Sequence, residues 1–360
     1  IMQIKKNLNS LDKLYIIFFS IVLFINIFIT TSSRASIFEI TDVEIIEPFK
    51  LNFNKEKVID KGFKKAFIRL MAVITTTDDK SKIKNTSLST IKRLVDSFTI
   101  SNETFINNEY HVKFDVNFSK KNTLNFLERK NVFPSIPKKK KVLLIPVLVD
   151  IEQDKVLFHS DNIFYKKWNA ETKKHFLLEY ILPSEDLEDV SIISKNISSI
   201  EDYDFEEVIN KYDINDYIVT IIYKNNNQLR ILSKIKLNQL FKVDNQKLEN
   251  LDLTNEKDIN STLSKLKNTY ENYWKKINQI NTSIKLPITI SINSKSYKKI
   301  QNFEDILNDI DLVSHVDILK FNNQNVYYKI IYNGSPKKFL TDMESKKIKI
   351  STQNQFWEVQ

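Results

Sequence analysis

The sequence predicts an α/β (α+β) protein built from tandem small αβ modules, and three observations predict it. The run Val142-Leu143-Leu144-Ile145-Pro146-Val147-Leu148-Val149-Asp150 is apolar, rich in branched residues and opened by charges, the pattern of a strand buried on both faces. Tyr110, Val112, Phe114, Val116 and Phe118 alternate with His111, Lys113, Asp115 and Asn117, the pattern of a strand with one wet face. Ile259, Leu263, Leu266, Tyr270, Tyr273, Trp274 and Ile277 return at helical spacing. A chain of 360 residues, 42 % hydrophobic and 28 % charged, is long enough for two or three domains with cores of their own.

Residues 1–35 read as an export signal. Lys5, Lys6 and Lys13 precede the apolar run Leu14–Ile29, and small residues follow up to Ser33-Arg34-Ala35, so cleavage is expected after Ala35. The competing reading is an uncleaved inner-membrane anchor, because the run lies near the lower limit of ~17 apolar residues that span a bilayer. Either outcome places residues 36–360 in the periplasm. Lys5, Lys6, Lys13 and Arg34 against Asp12 account for three of the nine formal positive charges, leaving a mild +6. Mixed with carboxylates throughout, that excess argues against nucleic acid as a partner. The lack of cysteine excludes disulfides, thiol chemistry and lipid attachment through an N-terminal cysteine. With Gly62 and Gly334 as its two glycines, the chain has no Gly-rich phosphate loop, and its turns must rest on Asn, Asp and Ser.

Residues 36–137 form an N-terminal αβ module. Phe38, Ile40, Val43 and Ile45 suggest a strand; Val58, Ile59, Phe63, Ala66, Phe67, Leu70, Met71 and Ile74 then mark one face of a helix. Thr75–Asp79 is a loop, and Leu88, Ile91, Leu94, Val95 and Phe98 continue the helical reading. Phe98–Ile106 pairs with the alternating strand as a hairpin turned by Asn107-Asn108. A short helix around Leu124 and Leu127 closes the module before Pro134 and Pro137.

Residues 138–281 form a central α/β domain with helices layered on its sheet. Trp168 begins a helical piece, Phe176–Leu182 is a strand ended by Pro183, and Phe205, Val208, Ile209 and Tyr212 mark an amphipathic helix. Tyr217–Tyr223 is a further interior strand. The turn Asn225-Asn226-Asn227 leads to Leu229, Ile231 and Ile235, expected as the antiparallel edge. The sevenfold stripe from Ile259 to Ile277 is expected to pack on the protein's own sheet rather than in a coiled coil.

Residues 282–360 read as a C-terminal ferredoxin-like βαββαβ unit. A strand over Leu286–Ile292 and a helix over Tyr297–Ile310 come first, then Val313–Phe321 and Val326–Tyr332, turned by Asn322-Asn323. Pro336 enters a helix carrying Phe339, Leu340 and Met343, and Ile348–Ile350 with Phe356–Val359 finish the sheet. That layout hosts many functions and decides none.

Several of these stretches together resemble a known family. Val142–Asp150, Trp168, Leu182-Pro183-Ser184-Glu185-Asp186-Leu187-Glu188-Asp189 and Lys211–Val219 are similar to an exported family of Gram-negative bacteria catalogued as domain of unknown function number twenty sixty-six. Gly62-Phe63, Ala66-Phe67, Leu70, Tyr110–Asp115, Gly334, Leu340 and Phe356-Trp357 extend the resemblance over nearly the whole mature chain. Ser184-Glu185 departs from the family's small residue and glycine before the acidic pair. The resemblance implies an envelope protein without assigned enzyme chemistry, catalytic residues or cofactor.

Two charged runs are candidate sites. Glu185, Asp186, Glu188 and Asp189 put four carboxylates beside Pro183. They could ligate a hard cation such as Ca²⁺ through oxygen, but the spacing is not that of an EF-hand, and carboxylates favour any helix N-terminus. Lys138, Lys139, Lys140 and Lys141 could meet anionic headgroups or phosphate, though such a run before a buried strand reads more simply as a solvated segment that discourages aggregation. His111, His159, His175 and His315 are scattered without zinc-site spacing, and no Gly-x-Ser-x-Gly elbow occurs. Trp168, Trp274 and Trp357 read as core aromatics or interface anchors. Export, tandem modules and the scarcity of chemistry motifs predict a non-enzymatic binding or assembly module for another envelope protein, with no cofactor. The alternative is an envelope hydrolase with an Asp/Glu-lined cleft between the first and central modules.

Overall fold

The computed structural model describes residues 37–136, 139–170, 176–354 and 356–360. Residues 1–35, read above as an expected export signal, lie outside the described residues, as do Lys138 and His175. The architecture is α/β, with three sheets each carrying its own helices.

The first sheet is antiparallel. β1 (Glu39–Pro48) leads to α1 (Lys55–Ile74), whose first turn is capped by the Asn54 side chain accepting from Lys57 N at 3.0 Å. The stripe from Val58 to Ile74 is buried as its spacing requires. Gly62 has a specific reason to lack a side chain, because a Cβ there would stand 2.8 Å from the buried Phe114 ring. α2 (Lys80–Ile83) and α3 (Leu88–Leu94) follow, then β2 (Val95–Ile106), β3 (Glu109–Phe118) and α4 (Lys120–Arg129). The strand order is β1-β3-β2. Asn107 and Asn108 turn the hairpin with φ of 51° and 58°, the left-handed pair that a two-residue turn between twisted strands demands. One expectation is corrected here: the helix stops at Leu94, and Val95 and Phe98 stand in β2. Val95 pairs with Phe118 and Phe98 with Val116, so ladder bonds to β3 override a helical spacing that ends in strand-favouring residues.

The central sheet is built on β4 (Lys140–Asp150), nine of whose eleven residues are buried, as an interior strand requires. β5 (Lys155–Leu157), α5 (Ile163–Lys167), β6 (Leu178–Ile181), α6 (Leu187–Lys195) and α7 (Glu206–Ile209) come next. β7 (Tyr217–Asn225), β8 (Gln228–Leu237), β9 (Leu240–Leu248) and α8 (Glu256–Ile277) complete the domain. The order is β5-β4-β7-β8-β9, with β6 beside β4; β6 and β7 both run parallel to β4. Even-numbered side chains such as Val142, Leu144 and Leu148 pack with Leu263, Leu266 and Trp274 of α8. Odd-numbered ones such as Leu143, Ile145 and Val147 pack with Ile193, Phe205 and Val208 on the opposite face. The sheet therefore lies between two helical layers. Truncating a fully buried leucine of β4 to alanine costs about 2–5 kcal/mol in cores of this kind.

Three details differ from expectation. β8 is interior, and the edge belongs to β9, whose short turn at Asn238 and Gln239 also takes positive φ. Trp168 follows its helix instead of beginning it, since Asn162 caps α5 and the indole is fully buried just past its end. Lys140 and Lys141 are part of β4 and not a segment before it.

The third sheet comprises β10 (Leu286–Asn293), α9 (Tyr297–Asp309), β11 (Val313–Phe321), β12 (Asn325–Tyr332), α10 (Pro336–Ser345), β13 (Ile350–Ser351) and β14 (Trp357–Val359). Its order, β11-β12-β10-β14-β13, departs from a ferredoxin-like βαββαβ unit at the end of the chain. There, β13 takes the outer place and β14 returns between it and β10, parallel to β10. The final two short segments form a hairpin instead of one strand.

Polar bonds join neighbouring modules. Lys275 Nζ donates to Ala72 O at 2.5 Å and Ile280 N to Pro134 O at 2.8 Å. Lys120 Nζ donates to Ile310 O at 3.3 Å, and burial there depresses its pKa to about 8. Among the described residues no helix is long and apolar enough to cross a membrane.

Candidate functional site

The acidic run folds as a helix start. Asp186 is the N-cap of α6 and accepts from Glu188 N at 2.9 Å, satisfying one of the open N–H groups of the first turn. Lys211, just past α7, reaches back into the run. Its ammonium lies 2.6 Å from Asp189 Oδ1, 2.7 Å from Asp186 Oδ2 and 3.3 Å from Glu188 Oε2. These contacts hold Lys211 firmly protonated, and Lys211 keeps the Asp186 carboxyl below its ordinary value. Three of the four predicted carboxylates are thus brought together around a lysine of the same chain. Glu185 stands outside that contact, with no ion pair among the described residues.

The loop before this helix is fastened by hydroxyls. Tyr165 OH donates to Pro183 O at 2.6 Å, and Ser184 N donates to Tyr212 OH at 2.7 Å. Next to it, His159 sits in the left-handed region at φ 44° and is nearly buried. Burial holds its imidazole pKa down, against an opposing pull from Glu185, Asp189 and Asp186 and a hydrogen bond to the Ser184 backbone. The Ser184 hydroxyl faces Tyr212 at 3.2 Å. Among the described residues no three His, Asp or Glu side chains are arranged to hold a metal ion.

The basic run is divided. Lys140 pairs with Asp216 at 2.5 Å, whose other oxygen accepts from Asn238 N, so Asp216 pins the β8–β9 turn beside the start of β7 and is itself held by this lysine. Lys139 and Lys141 are exposed, and Lys141 stands opposite Glu179 in the ladder.

A third ionic group escaped the sequence reading. Lys267, Glu271 and Lys275 follow one another at four-residue steps on α8, and all three are buried. Glu271 Oε1 accepts from Leu177 N at 2.9 Å and Leu178 N at 2.7 Å, fixing the approach to β6. Lys267 donates to Trp168 O, and Lys275 to Ala72 O in α1, each at 2.5 Å. Burial pushes the Glu271 carboxyl up to about 7, with the two N–H donors and Lys275 opposing. The visible signal was a fourfold charge step lying one residue beyond Leu266, Tyr270 and Trp274.

Between the first and central modules lies a shallow groove of about 600 Å³, lined by Thr77, Asp78, Ser261, Lys265, Asn268 and Asn272. Among the described residues Asp78 is its one lining carboxylate, and it pairs with Lys276 at 2.9 Å.

The three sheets end in edge strands of different character. β2 and β11 each carry two register shifts, which twist an edge away from further pairing. β9 runs in unbroken register with β8 from Leu229↔Leu248 to Leu237↔Leu240, and no described strand pairs with its other side. It also leaves Leu240, Phe241 and Val243 more than half exposed. No protein-family model matches this chain, and no curated protein matches it in sequence.

Proposed function

We propose that this chain is a periplasmic, non-enzymatic binding or assembly module that receives a strand of another envelope protein on β9. The export segment and the resemblance to the exported Gram-negative family support the location. The single observation that carries the binding mode is the unbulged edge of β9 with its exposed apolar side chains. Such an edge offers a row of open N–H and C=O groups for main-chain pairing, while Phe241 and Val243 on one face supply side-chain grip. The acidic run supports the same reading, because Asp186, Glu188 and Asp189 are engaged by Lys211.

A photocrosslinking residue at Leu240 tests this in the full chain expressed in a Gram-negative bacterium. The expected result is one discrete adduct with an envelope protein, lost when Phe241→Lys and Val243→Lys are combined, and missing when the probe replaces exposed Asn226. Equal adducts from both probe positions, or none from Leu240, would remove the basis for a strand-accepting edge.

A further inference from the structure

We propose that the end of the N-terminal sheet, where β1 finishes and the β2–β3 hairpin turns, is a knuckle that enters the headgroup region of a lipid surface. Phe49 and Leu51, in the loop after β1, and Phe105 and Ile106, at the end of β2, are exposed there. Phe49 N donates to Asn108 O at 2.7 Å, and the Phe49 and Phe105 rings touch edge-on at 5.0 Å. Phe53 and Tyr110 back both rings at about 5 Å, so the exposed pair stands on a packed aromatic base. Leu51 is 112 % exposed, more open than in an extended reference peptide, and so forms the apex of the knuckle.

Charge decides the occupant. Two of the nearby carboxylates are met by lysines of the same chain, Glu47 by Lys61 and Glu103 by Lys55 at 2.7 Å and by Tyr110 OH at 2.8 Å, and Glu109 lies 3.2 Å from the His111 imidazole. Lys50, between Phe49 and Leu51, forms no ion pair among the described residues, which leaves a cation at the apex for a lipid phosphate. Its four-carbon stem can lie among apolar groups while the ammonium stays at headgroup level. A second copy of this chain fits less well. Four apolar side chains on a projecting apex are far fewer than the ~20–30 residues a side of a stable protein interface. Apolar side chains at a cationic loop tip instead match the physics of interfacial insertion.

The chain lacks cysteine, so Leu51→Cys in the full-length protein takes a single environment-sensitive fluorophore. With vesicles of phosphatidylethanolamine and phosphatidylglycerol, the expected result is a blue shift and a several-fold brightening, quenched by nitroxide-labelled lipid. The response should persist at high salt, and Lys50→Gln should weaken partitioning about fivefold on anionic vesicles and leave it unchanged on neutral ones. The same probe at Asn226→Cys, on the central sheet, should stay water-exposed. An unchanged spectrum at position 51 overturns the proposal, as does an equal shift at position 226. A shift that appears without vesicles and grows with protein concentration overturns it too, in favour of self-association. None of these readings depends on β9.

Discussion

Two ionic clusters in this molecule contain the same kinds of side chain and do different work. The one around Lys211 sits at the surface, where three carboxylates from one helix start converge on a single ammonium. The one on α8 is inside, where Lys267, Glu271 and Lys275 bond to backbone atoms of three other segments. Water can take the place of most contacts in the first and of few in the second. The lesson is that a run of acidic residues marks a cap, whereas the ionic group that ties distant segments together is spread along a helix and hidden by its periodicity.

Glu271→Ala should break the inner cluster most severely. It strips the acceptor from the buried Leu177 and Leu178 N–H groups, a loss of about 3–5 kcal/mol. Urea unfolding at pH 7 measures it. If the cost stays below about 1 kcal/mol, the ladder is not the joint described here.

The same residue predicts a pH profile. Glu271 titrates near 7 in the fold against an ordinary 4.5, so between those values the folded chain holds the extra proton. Stability from this group is therefore greatest below 4.5 and falls as pH rises through 7, by up to about 3 kcal/mol. Glu271→Gln keeps a carbonyl acceptor and removes the titration. Its urea midpoint should be flatter than the parent's from pH 5 to 8 and higher above pH 7; parallel curves would mean that Glu271 titrates normally.

Lys211→Met should have a smaller effect than Glu271→Ala at neutral pH. Asp186 and Glu188 gain water in exchange, and the remaining loss comes from Asp189, which is buried. A midpoint shift as large as that of Glu271→Ala would erase the contrast between the clusters. Smallest of all should be Asp186→Asn, because asparagine caps a helix about as well as aspartate and gives up only one of the lysine's partners. Circular dichroism melting should place it between the parent and Lys211→Met.

Much of the fold was legible because burial imposes period. β3 alternates since one face is wet, β4 is uniformly apolar since neither is, and α1 repeats its stripe since it lies on one sheet. The asparagine pairs at 107–108 and 322–323 marked turns in a chain that hardly uses glycine. β9 was invisible for the converse reason: none of its side chains is buried and one face is fully exposed, so no apolar alternation was written into it. Of the site, the acidic run was visible as a helix start, which Asp186 caps, but Lys211 lies more than twenty residues away and no local pattern points from one to the other.

By itself, the sequence determined the order and kind of nearly every element, because periodicity and turn chemistry are local consequences of which face meets water. Only the tertiary structure decided which strand closes each sheet, that the last hairpin reverses the ferredoxin-like ending, and which charges are inside. Those outcomes depend on pairings between distant segments. A lysine on a helix has the same spacing whether its ammonium ends in solvent or against the carbonyl of another module.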